Sequence, residues 1–266
     1  MKTHFPSLRT AIVFATLVAA LAPVHAQKQP DSVARLDTLR QSPESAGALV
    51  YRGETFTQRP GDTVPLFRYE RRVIATTNGL VATHLTSTAQ GELTIVESAQ
   101  VSPDYALQRL DIENRQTAHS GSAQVSANGK QIQYRLIKNG KSSSATEDVS
   151  DPVVSGTSMF GFILKNRDVL QAGKVMPVRM IVLSEKTTYG FDIALESRAN
   201  GQTTFSVVPT HFLIRMAIAP MHVVFDDANQ SAVRYVGRVP PMQMISGKLK
   251  DLDARVEYTN TAARYR

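Results

Sequence analysis

From Ala48 onward the pattern turns to a period of two, with apolar and polar residues alternating in most of the segments ALVYRGETF, LFRYERRVIATT, LVATHLTST, ELTIVESAQV and ALQRLDIENR. Each is rich in Val, Ile, Thr, Tyr and Leu, the pattern of half-buried antiparallel strands. Asn-Gly occurs at Asn78-Gly79, Asn128-Gly129, Asn139-Gly140 and Asn200-Gly201, between strand-like runs. Both residues tolerate the positive φ of tight hairpin turns, so the four copies predict a meander. MHVVF and AVRYVGRV flank the turn-rich DDANQS as a further hairpin, and LDARVEYT reads as a closing strand. The total comes to roughly ten strands. The polar stretch Ser144–Ser150 reads as a loop.

Two segments depart from period two. Val33, Leu36 and Leu39 sit at helical spacing in the polar leader 27–47, which predicts a short amphipathic helix or a loosely docked leader. In mid-chain, Asp151 as N-cap, Pro152 at the first helical position, the apolar run MFGFILKN and Gly173 as a stop predict a helix or two short helical pieces over about 152–171. A long antiparallel sheet with one inserted helix excludes a parallel α/β fold. The expected class is mainly β: a large curved antiparallel sheet, a half-barrel or incomplete barrel, forming a single domain over 48–266 that wraps the inserted helix.

The N-terminus has its own chemistry. Lys2 and Arg9 without acidic residues, the apolar run Ala11–Leu21 and the small residues Val24 and Ala26 before Gln27 predict a signal peptide over 1–26. That run is about half of the roughly 20 residues a spanning helix needs. Cleavage there leaves 28 basic and 23 acidic residues, net +5, on an exported, periplasmic chain without a transmembrane segment. The basic residues are scattered, with only short pairs such as Arg71-Arg72, so nucleic-acid binding has no support. The 266 residues include no cysteine, which removes disulfides, thiolate metal sites and a lipidated anchor.

Motifs for catalysis are missing. His84, His119, His211 and His222 form no HExxH or HxH pair, so no metal is expected. No GxSxG elbow, dinucleotide fingerprint or phosphate loop occurs, and no cofactor is expected. Glu70, Glu92, Asp111, Asp192 and Asp226 do not stand apart from solvated strand carboxylates. The expectation is a protein that is not an enzyme.

The positive signal is apolar. Met159, Phe160, Phe162, Ile163 and Leu164 are too many for one narrow stripe, so the helix should meet apolar surroundings on several sides. Phe205, Phe212, Leu213, Ile214, Met216, Ile218 and Met221 form a second dense run. Met and Phe adapt to irregular cavities, so Met159, Phe160, Phe162, Ile163, Phe212, Met216 and Met221 are candidate cavity-lining residues. The same residues serve equally as core, since a curved sheet must be filled.

The order Asp151-Pro152, MFGFILKN, the Val169–Gly173 turn, PVRMIVLS and MHVVFDDANQSAVRYVGRVP resembles a family of exported bacterial proteins of unknown function. These are similar in fold to the periplasmic lipoprotein carrier LolA and its receptor LolB, a half-barrel closed by helices around an apolar cavity. The resemblance covers Ala48 to the C-terminus. It implies a carrier or sensor for a lipid, an acyl chain or another hydrophobic envelope component, with no catalytic residues to carry over. The alternative is an envelope scaffold that recruits a protein partner by strand addition at a sheet edge.

Overall fold

The computed structural model describes residues 32–260, and side chains from 37 onward. The expected signal peptide lies outside the described residues. Helix α1 (Ser32–Gln41) and a 3-10 turn (Pro43–Ala46) precede eight strands: β1 (Ala48–Thr57), β2 (Phe67–Thr76), β3 (Gly79–Thr88), β4 (Leu93–Val101), β5 (Leu107–Asn114), β6 (His119–Val125), β7 (Gln131–Lys138) and β8 (Lys141–Asp148). A second run begins with the two-residue β9 (Val153–Val154), α2 (Gly156–Lys165), α3 (Arg167–Gln171) and β10 (Met176–Val182). It continues through β11 (Thr187–Ala199), β12 (Gln202–Pro209), α4 (Phe212–Ala217), β13 (Met221–Asp226), β14 (Ala232–Ile245) and β15 (Lys248–Asn260).

All fifteen described strands form one sheet, ordered β8 to β1, then β15 to β9. The protein is therefore mainly β, one large curved sheet built from two consecutive meanders that join where β1 pairs with β15. Among the described residues every pairing is antiparallel except β9 with β10, which the α2–α3 crossover makes parallel. The Asn139-Gly140 and Asn200-Gly201 turns take positive φ at both residues, 50° and 74° in the first and 54° and 71° in the second, the geometry that continues strand twist across a two-residue hairpin.

The ladder does not close. Strands β8 and β9 are the two edges of the sheet, yet only residues 149–152 separate them in the chain, so the edges meet. Side chains bridge the seam. Glu147 of β8, which also accepts from Tyr134 Oη of the neighbouring β7 at 2.7 Å, accepts across it from Thr188 Oγ1 at 2.6 Å and Arg179 Nη2 at 3.4 Å, while Lys186 Nζ donates to Ser143 Oγ at 2.9 Å. Beneath them an apolar cluster joins Leu110, Ile132 and Tyr134 from one side to Val153, Ile181 and Leu183 from the other.

Three sequence expectations change here. Ser144–Ser150 is largely strand β8 rather than a loop; of its inward positions Ser143 and Glu147 face the polar seam and only the small Ala145 meets the apolar cluster, so the strand shows no clear apolar alternation. Pro152 does not open a helix, because its carbonyl accepts from Arg179 N at 2.8 Å and holds the chain extended into β9. The helix starts later, at the N-cap Ser155, whose N–H donates to Ser158 Oγ at 2.9 Å. The insert is thus a short strand followed by two helical pieces. Third, the strands among the described residues number fifteen rather than about ten, with β8 and β9 lying in segments whose local pattern reads as loop and helix.

Glu147→Ala removes the common acceptor of the seam and should destabilise the protein by about 2 kcal/mol, the worth of hydrogen bonds to a charged group. Glu147→Gln, which keeps an acceptor oxygen, should lose less. Urea denaturation compares the two; equal losses would show that the seam does not depend on the carboxylate.

Candidate functional site

The interior of the curl is occupied by α2. Thr157 to Ile163 of this helix are all buried, because sheet surrounds it rather than flanking it. Met159, Phe160, Phe162, Ile163 and Met221, five of the candidate residues, join the principal core with Phe191, Phe205, Val223, Phe225 and Tyr235. The Phe160 ring lies 6.0 Å from Phe225, 6.2 Å from Tyr235 and 5.8 Å from Tyr258. Gly161 sits where the helix passes the β4–β5 connection. A Cβ there would fall 2.0 Å from the Tyr105 ring.

Phe212 and Met216 are not with them. They lie on α4, 70% and 74% exposed, and this corrects their placement in a cavity. The reason is connectivity: α4 is the β12–β13 connection and stands beyond the end of the strands, tied by Arg215 Nε to Pro209 O (2.5 Å) and by Arg238 Nη2 to Ala217 O (3.1 Å).

A polar row crosses the apolar interior on the opposite wall. Strand register sets Tyr51 of β1 opposite Arg71 of β2, Arg71 opposite His84 of β3, and His84 opposite Glu97 of β4. Arg71 is 1% exposed. Its Nη1 donates to Thr157 O in the first turn of α2 at 2.6 Å and lies 2.7 Å from His84 Nε2. A guanidinium only donates, so His84 Nε2 accepts and the imidazole is neutral with its proton on Nδ1, which donates to the Tyr69 hydroxyl. Burial and then the Arg71 charge hold His84 well below the usual histidine range, consistent with that tautomer. Burial pushes the Glu97 carboxyl up to about 7, and burial with the neighbouring Tyr51 and Tyr258 keeps Tyr69 protonated.

This row ties the helix to the sheet. Its acid and base are 7% and 4% exposed and lie inside the curl with α2. The sequence marks His84 as a hydrogen-bonded strand histidine, which it is, while Arg71 reads as half of an ordinary basic pair and the one sign of Glu97 is its spacing of two from Ile95 and Ala99.

Outside, a cleft of about 770 Å³ on β15, β1 and β2 is lined by Arg52, Glu54, Arg68, Glu70, Arg255 and Glu257, among others. Four of its charges are paired: Arg52 with Glu70 at 3.1 Å and Arg255 with Glu257 at 2.7 Å, the latter also meeting Arg234 at 2.8 Å. Among the described residues no group of three or more His, Asp or Glu is placed to hold a metal, and no helix is long and apolar enough to cross a membrane.

Gly161→Ala drives a methyl into the Tyr105 ring and should cost about 1–3 kcal/mol, read as a lower unfolding temperature. Glu97 gives a pH signature. Its folded pKa lies above the unfolded one, so it contributes stability that is fully present below about 4.5 and is lost as pH rises through about 7. Wild type should therefore lose stability relative to Glu97→Gln across that window, by on the order of 2–3 kcal/mol. Parallel pH profiles for the two proteins would contradict it.

No family model matches the chain, and no curated protein matches its sequence. Among solved structures it is similar to the crystal structure of a β-barrel-like protein of Brucella abortus that is a domain of unknown function, DUF1849. The TM-score is 0.41 at 7% identity, covering 80% of this chain and 94% of that one.

Proposed function

We propose that this protein is an exported, non-catalytic carrier that binds a lipid, an acyl chain or another hydrophobic envelope component inside its curved sheet. One observation carries the reading: an apolar helix, α2, fills the inside of a sheet whose ladder is left open next to that helix. In this reading α2 is the resident filler. An acyl chain takes its place against Phe205, Val223, Phe225 and Tyr235 when the side-chain bridges from β8 to Arg179, Lys186 and Thr188 part and the Arg71 bond to Thr157 O is released. Met159, Phe160, Phe162, Ile163 and Met221 then serve as the helix side and rim of the same apolar surface. The signal-like N-terminus supports a periplasmic location, and the absence of a lipidation cysteine supports a soluble carrier over a fixed receptor of the LolB kind. Burial of His84 and Glu97 inside the curl with α2 supports a binding role over a catalytic one.

An envelope scaffold is the second reading, favoured by one feature. Strand β8 has a ladder partner on one side only, so once the side-chain bridges of the seam part its other edge can accept a strand.

Native mass spectrometry of gently purified protein tests the carrier. Lipid or acyl adducts, and a rise in unfolding temperature when a fatty acid is added, are expected. Absence of both would overturn the carrier, and co-purification of one stoichiometric envelope protein instead would favour the scaffold.

A further inference from the structure

The exposed apolar residues are not spread evenly. The five most exposed large apolar side chains among the described residues are Met216, Val64, Phe212, Leu213 and Met244, each at least 62% exposed. Strand direction places all five at one end of the curl. Val64 lies in the β1–β2 connection, Phe212, Leu213 and Met216 in the β12–β13 connection, and Met244 with Ile245 at the tip of the β14–β15 hairpin. In an antiparallel sheet these connections share an end.

The hairpin is built to stand there. Its register breaks between Val239 and Gln243, at Pro240-Pro241, and Met242 is then held by the β5–β6 turn. Gln116 Nε2 donates to Met242 O at 3.1 Å, and Met242 N donates to Gln116 Oε1 at 3.0 Å. The hairpin thus reaches across the end of the curl and is pinned on the far side, leaving Met244 and Ile245 outward. Its base is tied to α4 through Arg238 and Ala217.

Charge distinguishes the possible occupants. Lys248 and Lys250 follow the hairpin tip, and Arg215 lies between Leu213 and Met216; all three are exposed. Of the acids near the residues of this end in sequence, Asp251 and Asp253 are both taken up by Arg238, at 2.8 Å each, and Asp62 accepts from Thr57 Oγ1. A second copy docked face to face would set these cations against each other. A peptide needs a groove or an open strand edge, and these are separate protruding tips on three connections.

We propose that this end of the curl is a membrane-docking surface, which inserts the apolar tips of α4 and the β14–β15 hairpin shallowly among lipid headgroups while Lys248, Lys250 and Arg215 meet anionic lipid. Apolar insertion plus a few cations is the two-part recipe of reversible peripheral binding. The docking is independent of the carrier reading, since it needs no ligand inside the sheet.

Co-sedimentation of the purified protein with phosphatidylcholine vesicles, with and without phosphatidylglycerol, tests it. The protein should pellet with the anionic vesicles and far less with the neutral ones. Phe212→Ser with Met216→Ser, or Met244→Ser with Ile245→Ser, should each weaken binding about tenfold. Lys248→Glu with Lys250→Glu should weaken binding to anionic vesicles by about 25-fold or more, since each lysine near the surface contributes about fivefold. Val169→Ser with Val175→Ser, exposed at the opposite end, should change nothing, and all variants should keep the wild-type unfolding temperature. No pelleting with either vesicle, or equal losses in the control pair, would overturn the proposal. So would substitutions at these tips that dissolve a dimer in size-exclusion chromatography while leaving sedimentation unchanged. A protein that pellets yet carries no lipid in native mass spectrometry would retain this surface and lose only the carrier.

Discussion

The space inside the sheet is the constraint on which the rest depends. Diameter grows with strand number, and about eight strands already give an interior that inward side chains just fill. Fifteen strands curled into one sheet enclose more, and an empty apolar interior forfeits contacts on every wall. Helix α2 supplies the missing volume. Its burial on all sides requires apolar or small residues around its whole circumference, which is why Thr157, Ser158 and Gly161 accompany Met159, Phe160, Phe162 and Ile163. The crossover that delivers the helix also forces β9 to run parallel to β10, so the parallel pair and the buried helix have a single cause.

Filling alone does not fix where the helix sits, because apolar packing is weakly directional. The polar row of Arg71, His84 and Glu97 supplies direction. A buried guanidinium that donates to Thr157 O is strongly costly to misplace, since each alternative position strands a charge in an apolar interior. Neutral His84, held between Arg71 and Tyr69, orients the guanidinium without competing for its charge. Protonated Glu97 at neutral pH or below avoids a second buried charge beside it.

Much of this was legible in the sequence, for physical reasons that also set its limits. Strands β1, β2 and β5 announce themselves because they carry β-prone residues on pleated, largely half-buried surfaces. In β4 both faces are buried, one under α1 and one toward α2, so alternation fades and Glu97 passes for one polar residue in an apolar run. Counting by twos from Ile95 through Glu97 to Ala99 and Val101 would have set it on an apolar face. Arg71 and Arg72 look like one basic pair, yet they point to opposite faces: Arg71 inward to Thr157, Arg72 outward to Glu70 at 3.0 Å. The α4 run misled because Phe212 and Met216 have core composition; Arg215 in their midst and Pro209 and Pro220 beside them were the signs of an exposed connection. The polar seam stayed hidden, since pairing between Glu147 and Thr188 is a property of curvature and not of local pattern.

The junction of β1 with β15 has a mechanical consequence. Tyr51 lies opposite Asn260 and Thr57 opposite Ala254, so the first and last strands run antiparallel and the chain leaves from both at the same end. Force applied between those two points meets the hydrogen bonds one at a time, as in opening a zip, rather than loading the whole ladder in shear. Under such a pull the strand order makes the curl part between β1 and β15 and open as two meanders still joined at residues 149–152, with the bond from Arg71 to Thr157 O directly in the path of separation. The weakest line of the ladder under tension thus lies on the other side of the curl from the seam that ladder hydrogen bonds leave open at rest.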